Sequence, residues 1–401
     1  MGIWLPSTEA QIEAGLASGD VPEGHFLDFK RELGPTPGSR KETAQDIASF
    51  AIDGGVLIVG VAEPESGKYE LAPVPLDNLS ERAEQIAANR PDPGLSVRTT
   101  VIPSASDPTL GYLVIEIPPS PGAPHMVDGR YWGRSERTKR QLGNDEVVRL
   151  HMRRTDQEQR LRDALVAERK REPKGLAGGR MFLVAEPLQA PSTLAREYAR
   201  GEPAAVRSLI FGTEHLVPPS AQQSYLAPTG ARRTERRAQG IAATTLDTGR
   251  AAPDFDGSLD VEVQFSGAVR ALVSNLTYHE DHDRLPSGIT HVLEDTTVAW
   301  CHRMVAWAKA LGDQLGYRGP WGFGILVVGL AGARAMPDGY ERRFRLSAFA
   351  SNLPAYDADE FERVATATYQ EMETEPKAVV DRLVGDLIHT LGVADRYSDA
   401  L

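Results

Sequence analysis

Cysteine is almost absent: the 401 residues contain one, Cys301. A single thiol excludes an internal disulfide and any zinc site built from cysteines. Long apolar runs are missing as well, since nothing approaches the roughly 18 residues that a membrane-spanning helix needs. The N-terminal MGIWLPSTEAQIE has no basic leader followed by an apolar run, so a cytoplasmic protein away from membranes is the expectation. Positive charge is in deficit, with 44 Lys and Arg against 56 Asp and Glu and a net charge of −12. That balance excludes a protein that coats nucleic acid by bulk charge, but not one with a local basic groove. No G-x-x-x-x-G-K-[ST] occurs, so Gly54, Gly55 and Gly60 read as turn glycines and not as a phosphate loop. Repeats at solenoid periods are absent too.

What is present is ordinary globular material, 41% hydrophobic and 25% charged, long enough for two or three domains. Residues 1–150 hold 14 basic and 22 acidic side chains, whereas residues 151–180 hold 9 and 5. The basic stretch HMRRTDQEQRLRDALVAERKREPKGLAGGR reads as an exposed helix that ends at a proline and a glycine pair. The expected division is therefore a first domain at 1–150, a charged helical linker at 151–178 and a second domain at 179–401.

The first domain alternates helix and strand signals. Ser7 or Thr8 can cap a helix that runs to Gly19, and His25–Arg31 has strand character. Ser39 with Glu42 forms a capping box for a helix to Asp53, followed by the buried strand VLIVGV at 56–61. A second helix spans Asp77–Asn89, and 95–102, 112–118 and 129–134 read as strands. The fold class expected is α+β, with an N-terminal mixed sheet and a second α/β or α+β domain. In that second domain 181–188, 259–267 and 323–332 are strand candidates. Helices are expected at 296–315, 358–372 and 376–391, and a long loop at 213–258.

The densest chemistry lies between residues 23 and 63. Strand alternation puts Asp28 and Lys30 on one face, and a turn can bring Glu23 beside Asp28. Glu63 follows the buried strand, near a sheet end. Three carboxylates gathered in this way suit Mg²⁺ or Mn²⁺, which activate water and stabilise charge on a phosphate, while Lys30 can hold that phosphate. Acids at strand ends also occur as plain structural acceptors.

The segments HFLDFKREL, ETAQDIASFAIDGGVLIVGVAE and GYLVIEIPPSPGAPHMVDGRYWGRSERT, in that order, resemble the Schlafen-type AlbA-like domain, also called the divergent AAA domain, over about residues 20–150. The resemblance implies nucleic-acid binding. In the nuclease members three acids cleave tRNA or rRNA with a divalent metal, and those positions match Glu23, Asp28 and Glu63. Asp28 stands where the pattern has Glu, Glu63 where it has Asp, and Ile52-Asp53 replaces Asn-Thr before Gly-Gly.

A second cluster joins Tyr131, Trp132, Arg134, Arg137, Lys139 and Arg140. Rings and guanidinium planes stack on bases and cations meet phosphates, so Arg31, Tyr131, Arg134, Arg137, Lys139 and Arg140 are the candidate nucleic-acid contacts. The alternative is a core Trp132 above a solvated basic turn. ARRTERRAQG at 231–240 reads as a solvated loop, HEDHD at 279–283 as a surface turn without a third His at metal spacing, and Cys301-His302 as helix packing. Taken together these features lead to a metal-dependent endoribonuclease acting on tRNA or other structured RNA, in stress or antiphage defence. The C-terminal domain is expected to sense a trigger, hold a partner or self-associate. The competing reading is a non-catalytic DNA- or RNA-binding regulator or an oligomeric scaffold.

Overall fold

The computed structural model describes residues 4–19, 21–34, 36–63, 68–176, 178–222, 233–246, 259–279, 289–336 and 353–401. The chain divides into two compact units, Met1–Asp156 and Gln157–Leu401.

Unit 1 begins with α1 (Glu9–Ser18), capped by the Thr8 hydroxyl and ended by Gly19 in the left-handed region. The central sheet is mixed, as the α+β reading requires. Strand β1 (Leu27–Lys30) precedes α2 (Pro37–Phe50), and β2 (Gly55–Val59) runs parallel to β1. Next come β3 (Val74–Pro75), α3 (Leu79–Asn89), β4 (Arg98–Pro103) and β5 (Leu110–Ile117). β5 pairs antiparallel with β2, β3 and β4. A small antiparallel sheet, β6 (Met126–Val127), β7 (Arg130–Arg134) and β8 (Lys139–Gln141), follows.

β2 is apolar throughout because both of its faces are covered. Leu57 and Val59 join Ala44, Ile47, Ala83 and Ile86 under α2 and α3, whereas Val56 and Ile58 pack with Ile12 of α1 and Phe29. α2 starts earlier than the capping box at Ser39 predicts. Thr36 is its N-cap, accepting from the Ser39 N–H, and Pro37 fills the first turn, where a missing N–H costs nothing. At its far end the Gly54 N–H donates to the Phe50 carbonyl (2.7 Å), and the positive φ of Gly54 (86°) turns the chain into β2.

α4 (Asn144–Lys170) crosses the division between the units. The division falls earlier than residue 178 because Leu161 and Leu165 of α4 are core residues of unit 2. There the strands are β9 (Arg180–Pro187), β10 (Arg233–Arg237), β11 (Gly240–Thr244), β12 (Leu259–Gln264), β13 (Val269–Val273), β14 (Trp321–Val328) and β15 (Glu360–Ala367). They form one antiparallel sheet in the order β10-β11-β12-β13-β9-β14-β15. The long helix α5 (Glu294–Leu315) contributes Trp300, Met304, Trp307 and Leu311 to the core on one face. Leu161 and Leu165 occupy the other, where Gly322 and Gly324 make room: a Cβ on Gly324 would sit 3.0 Å from the Leu165 side chain.

Two expectations for unit 2 are corrected. Residues 360–367 are strand β15, not helix, because EFERVATA pairs along the whole of β14 and buries Phe361 and Ala367. The region 213–258 is not one long loop, since β10 and β11 form a hairpin within it. The described arginines of the run are thereby paired within unit 2. Arg237 grips Asp260 bidentately (2.7 and 2.6 Å) and reaches Glu262, and Arg236 donates to the carbonyls of Arg200 and Gly201. Cys301 is fully buried and His302 donates to the Ala400 carbonyl, so both pack as expected. Of HEDHD only the backbone of His279 lies within the described residues.

Leu165→Ala is expected to destabilise unit 2 by about 2–5 kcal/mol, since the glycines beneath it cannot fill the cavity; a loss under about 1 kcal/mol in urea unfolding would contradict this packing. A second expectation concerns Glu294, which is 3% exposed. Burial pushes its carboxyl up to about 7, against the Met336 N–H (3.0 Å) and Arg396 (3.3 Å) that lower it, with the neighbouring Asp295 charge adding to the rise. Folding therefore favours the protonated form, and that stability is full below the ordinary carboxylate pKa and lost as pH rises through about 7. Glu294→Gln, which cannot ionise, should remove on the order of 3 kcal/mol of the fall in stability between pH 5 and pH 8. Parallel pH profiles for both proteins would refute it.

Candidate functional site

The site grows from a tight turn. The Gly24 N–H donates to the Leu27 carbonyl (2.9 Å) and the Leu27 N–H returns to Gly24 (3.4 Å), so His25 and Phe26 form a two-residue tip. Glu23 and Asp28 flank that tip, which is how residues five apart in sequence become neighbours. Glu23 Oε1 accepts the Phe29 N–H (3.0 Å). Burial raises the proton affinity of Glu23, and the negative charges of Asp28 and Glu63 add to it. The Tyr69 hydroxyl faces the same carboxylate, and its own pKa is raised by burial and by Glu23. Glu63 is exposed at the end of the ribbon strand Val61–Ala62.

Asp28 is differently placed. It is 7% exposed, its Oδ1 accepts from Arg134 Nη2 (3.0 Å), and its Oδ2 lies 3.4 Å from the Lys30 ammonium. Lys30 also reaches Asp46 Oδ2 (3.1 Å), whose other oxygen takes Lys139 (3.1 Å). Burial pulls the Lys30 pKa down, but Asp46 and Asp28 outweigh it and hold the ammonium charged. Asp46 is 2% exposed in the middle of α2.

The basic cluster is divided by this packing. The Arg134 side chain is 2% exposed. Its Nε donates to Gly24 O (3.0 Å) and its Nη2 to Leu27 O (3.4 Å) and Arg137 O (3.3 Å), while its guanidinium lies 4.2 Å from the centre of the Phe50 ring. Arg134 is thus a buried clamp and not a phosphate contact. Lys139 is held by Asp46 and by the Glu42 carbonyl, and Arg140 grips Glu146 through two bonds (2.7 and 2.5 Å) that pull the Glu146 carboxyl down to about 2. Arg31 and Arg137 are exposed. Tyr131 is half-buried, edge-on to His151 (5.7 Å), and Trp132 packs against the α2–α3 core.

The oxygen donors at Glu23, Asp28 and Glu63 have the chemistry of a site for a hard divalent cation. Among the described residues no three Asp, Glu, His or Cys side chains stand close enough to share one ion, and Asp28 is already neutralised by two cations. Sequence reasoning missed Asp46, Tyr69, Asp53 and the His25–Phe26 tip. The one signal for Asp46 was a carboxylate set among the small apolar residues of an amphipathic helix.

Replacing Arg134 with Met leaves Asp28 buried and short of a partner, so unit 1 should lose roughly 3–5 kcal/mol. Arg137→Met, on the exposed turn, should stay within about 0.5 kcal/mol of the parent. Equal melting temperatures for the two variants would remove the clamp.

Among the described residues no helix is long and apolar enough to cross a membrane. No curated protein matches the chain. Among solved structures it is similar to the DIP2311 protein of Corynebacterium diphtheriae, with 22% identity, a TM-score of 0.25 and coverage of 35% of this chain and 27% of that one. It is also similar to the N-terminal domain of an ATP-dependent DNA helicase RecG-related protein of Nitrosomonas europaea, with 20% identity, a TM-score of 0.24 and coverage of 32% and 89%. The chain therefore spans about a quarter of the length of the first of these. Residues 23–143 match the family model described as Schlafen, AlbA_2, and the turn, strands and paired cations above lie within the matched residues.

Proposed function

We propose that unit 1 binds nucleic acid and hydrolyses a phosphodiester bond in structured RNA, with tRNA as the first substrate to test. Nucleic-acid binding is the broader statement and is supported by the Schlafen AlbA_2 match of residues 23–143. Hydrolysis is supported by one arrangement: Glu23 stands across the 24–27 turn from Asp28, and burial, with the charges of Asp28 and Glu63 adding to it, raises its proton affinity. A carboxyl poised in this way can take a proton from an attacking oxygen or give one to a leaving oxygen. Lys30, kept charged between Asp28 and Asp46, orients the phosphate. Glu23 and Glu63 are the carboxylates that would hold a Mg²⁺ or Mn²⁺ ion, and the ion would supply water activation and charge neutralisation. The reading gives unit 2 a sensing or self-assembly role, as in a stress-response or antiphage nuclease, and places the protein in the cytoplasm.

A second reading, a non-catalytic RNA- or DNA-binding regulator, is favoured by the engagement of both Asp28 oxygens with Arg134 and Lys30. Incubating the purified protein with tRNA and Mn²⁺ or Mg²⁺ separates the two. Glu23→Gln and Glu63→Gln test the site better than Asp28→Ala, which would strand the buried Arg134. Each should slow cleavage by about 10²-fold or more while RNA binding persists. Undiminished cleavage by both variants would dismiss the site, and binding without cleavage by the parent protein would leave the regulator.

A further inference from the structure

The tip of the 24–27 turn holds none of the residues assigned above to hydrolysis, yet it is a built feature. Phe26 is 48% exposed, and among the described residues of unit 1 it is the one large aromatic left so open. Single exposed apolar residues are common and by themselves mean little. This one differs because its surroundings hold it. The His25 ring stands perpendicular to the Phe26 ring (84°) with centroids 4.8 Å apart, and packs against it without covering it. His25 is in turn fixed by Asp53, whose Oδ2 accepts from Nε2 at 3.0 Å. Below the tip, Arg134 donates to the carbonyls of both turn ends, Gly24 and Leu27. The turn that carries the exposed Arg137 lies alongside, with the Glu136 carbonyl 3.9 Å from where a Gly24 Cβ would stand.

We propose that His25 and Phe26 form a stacking site for one nucleobase of single-stranded RNA, with Asp53 as the positioning residue that holds His25. The proposal rests on the reading of unit 1 as a nucleic-acid-binding domain and names the part of the nucleic acid that this tip receives. A base presents a π-face whatever its identity, so an aromatic platform takes it without sequence preference. An unpaired base is required, because the faces of a paired base are covered by its neighbours in the stack. Preorganisation also matters: a ring already ordered by His25 and by a clamped turn has little freedom left to lose on binding. Arg137 alongside offers a phosphate contact for the same nucleotide. Ile52-Asp53 stands where the Schlafen-type pattern has Asn-Thr, so the hydrogen bond between Asp53 and His25 belongs to this chain's own departure from that pattern.

The test is fluorescence anisotropy of a labelled single-stranded RNA with the full-length protein, in EDTA so that binding is read without cleavage. Phe26→Ala should weaken binding by roughly 5- to 150-fold, the worth of one base stacked on an aromatic ring. Phe26→Trp should keep the affinity, and its fluorescence should fall when RNA binds. On an oligomer of abasic residues the parent and Phe26→Ala should bind alike. Because Phe26 is exposed, thermal melting of these variants should match the parent. Equal affinity of the parent and Phe26→Ala for base-bearing RNA would overturn the stacking site and leave RNA binding intact. No binding of any RNA by the parent would overturn the nucleic-acid reading and the stacking site with it. Failure of the Glu23→Gln cleavage test alongside a normal Phe26 effect would reject hydrolysis only.

Discussion

A guanidinium that is almost fully buried has to place its donors, and the geometry of unit 1 follows from where Arg134 places them. Burying a charge without partners is far more expensive than any single hydrogen bond is worth. Arg134 meets that demand with the carbonyls of Gly24, Leu27 and Arg137 and the carboxylate of Asp28. Three of those acceptors lie at residues 24–28 and the fourth at residue 137, so one side chain ties the first turn and the start of β1 to the turn after β7. The Phe50 ring beneath the guanidinium ties the same point to the end of α2. Both the flanking of the tip by Glu23 and Asp28 and the presentation of His25 and Phe26 depend on that arrangement.

Local rules made much of the fold legible. Thr8 and Gly19 bound α1 because cap chemistry acts within one turn of chain. The unbroken VLIV run announced a strand covered on both faces, and α2 and α1 cover it. The errors came where tertiary pairing outweighs local pattern. FERVATA carries no strong period, and its alignment along β14 decides that it is a strand. The Arg-rich run looked like a solvated loop because its acidic partners, Asp260 and Glu262, lie more than twenty residues away.

The site was legible to the same degree. The closeness of Glu23 and Asp28 was legible because a turn between them is a local event. The fate of the cations was not, because pairing is decided by residues that only the fold brings close. Asp46 shows why. A carboxylate inside a helix normally faces water, yet this one is buried and draws both Lys30 and Lys139 to it. Three of the six basic or aromatic contacts expected for nucleic acid, Arg134, Lys139 and Arg140, are consumed in this way by Asp28, Asp46 and Glu146.

That pairing changes what a net charge of −12 implies. A narrow groove of free cations between residues 130 and 140 would bind nucleic acid mainly by releasing counterions, and its affinity would fall steeply with salt. With the inner cations neutralised, the exposed Arg31, Arg130 and Arg137 are left for phosphates. Few phosphate contacts mean a shallow dependence on salt, because the slope scales with the number of phosphates neutralised. On the proposed reading, affinity would come from contacts that do not depend on net charge, and stacking of a base on an aromatic ring is one of these. On that reading the acidity of unit 1 and the exposure of Phe26 are compatible, because an aromatic ring needs no free positive charge to take a base.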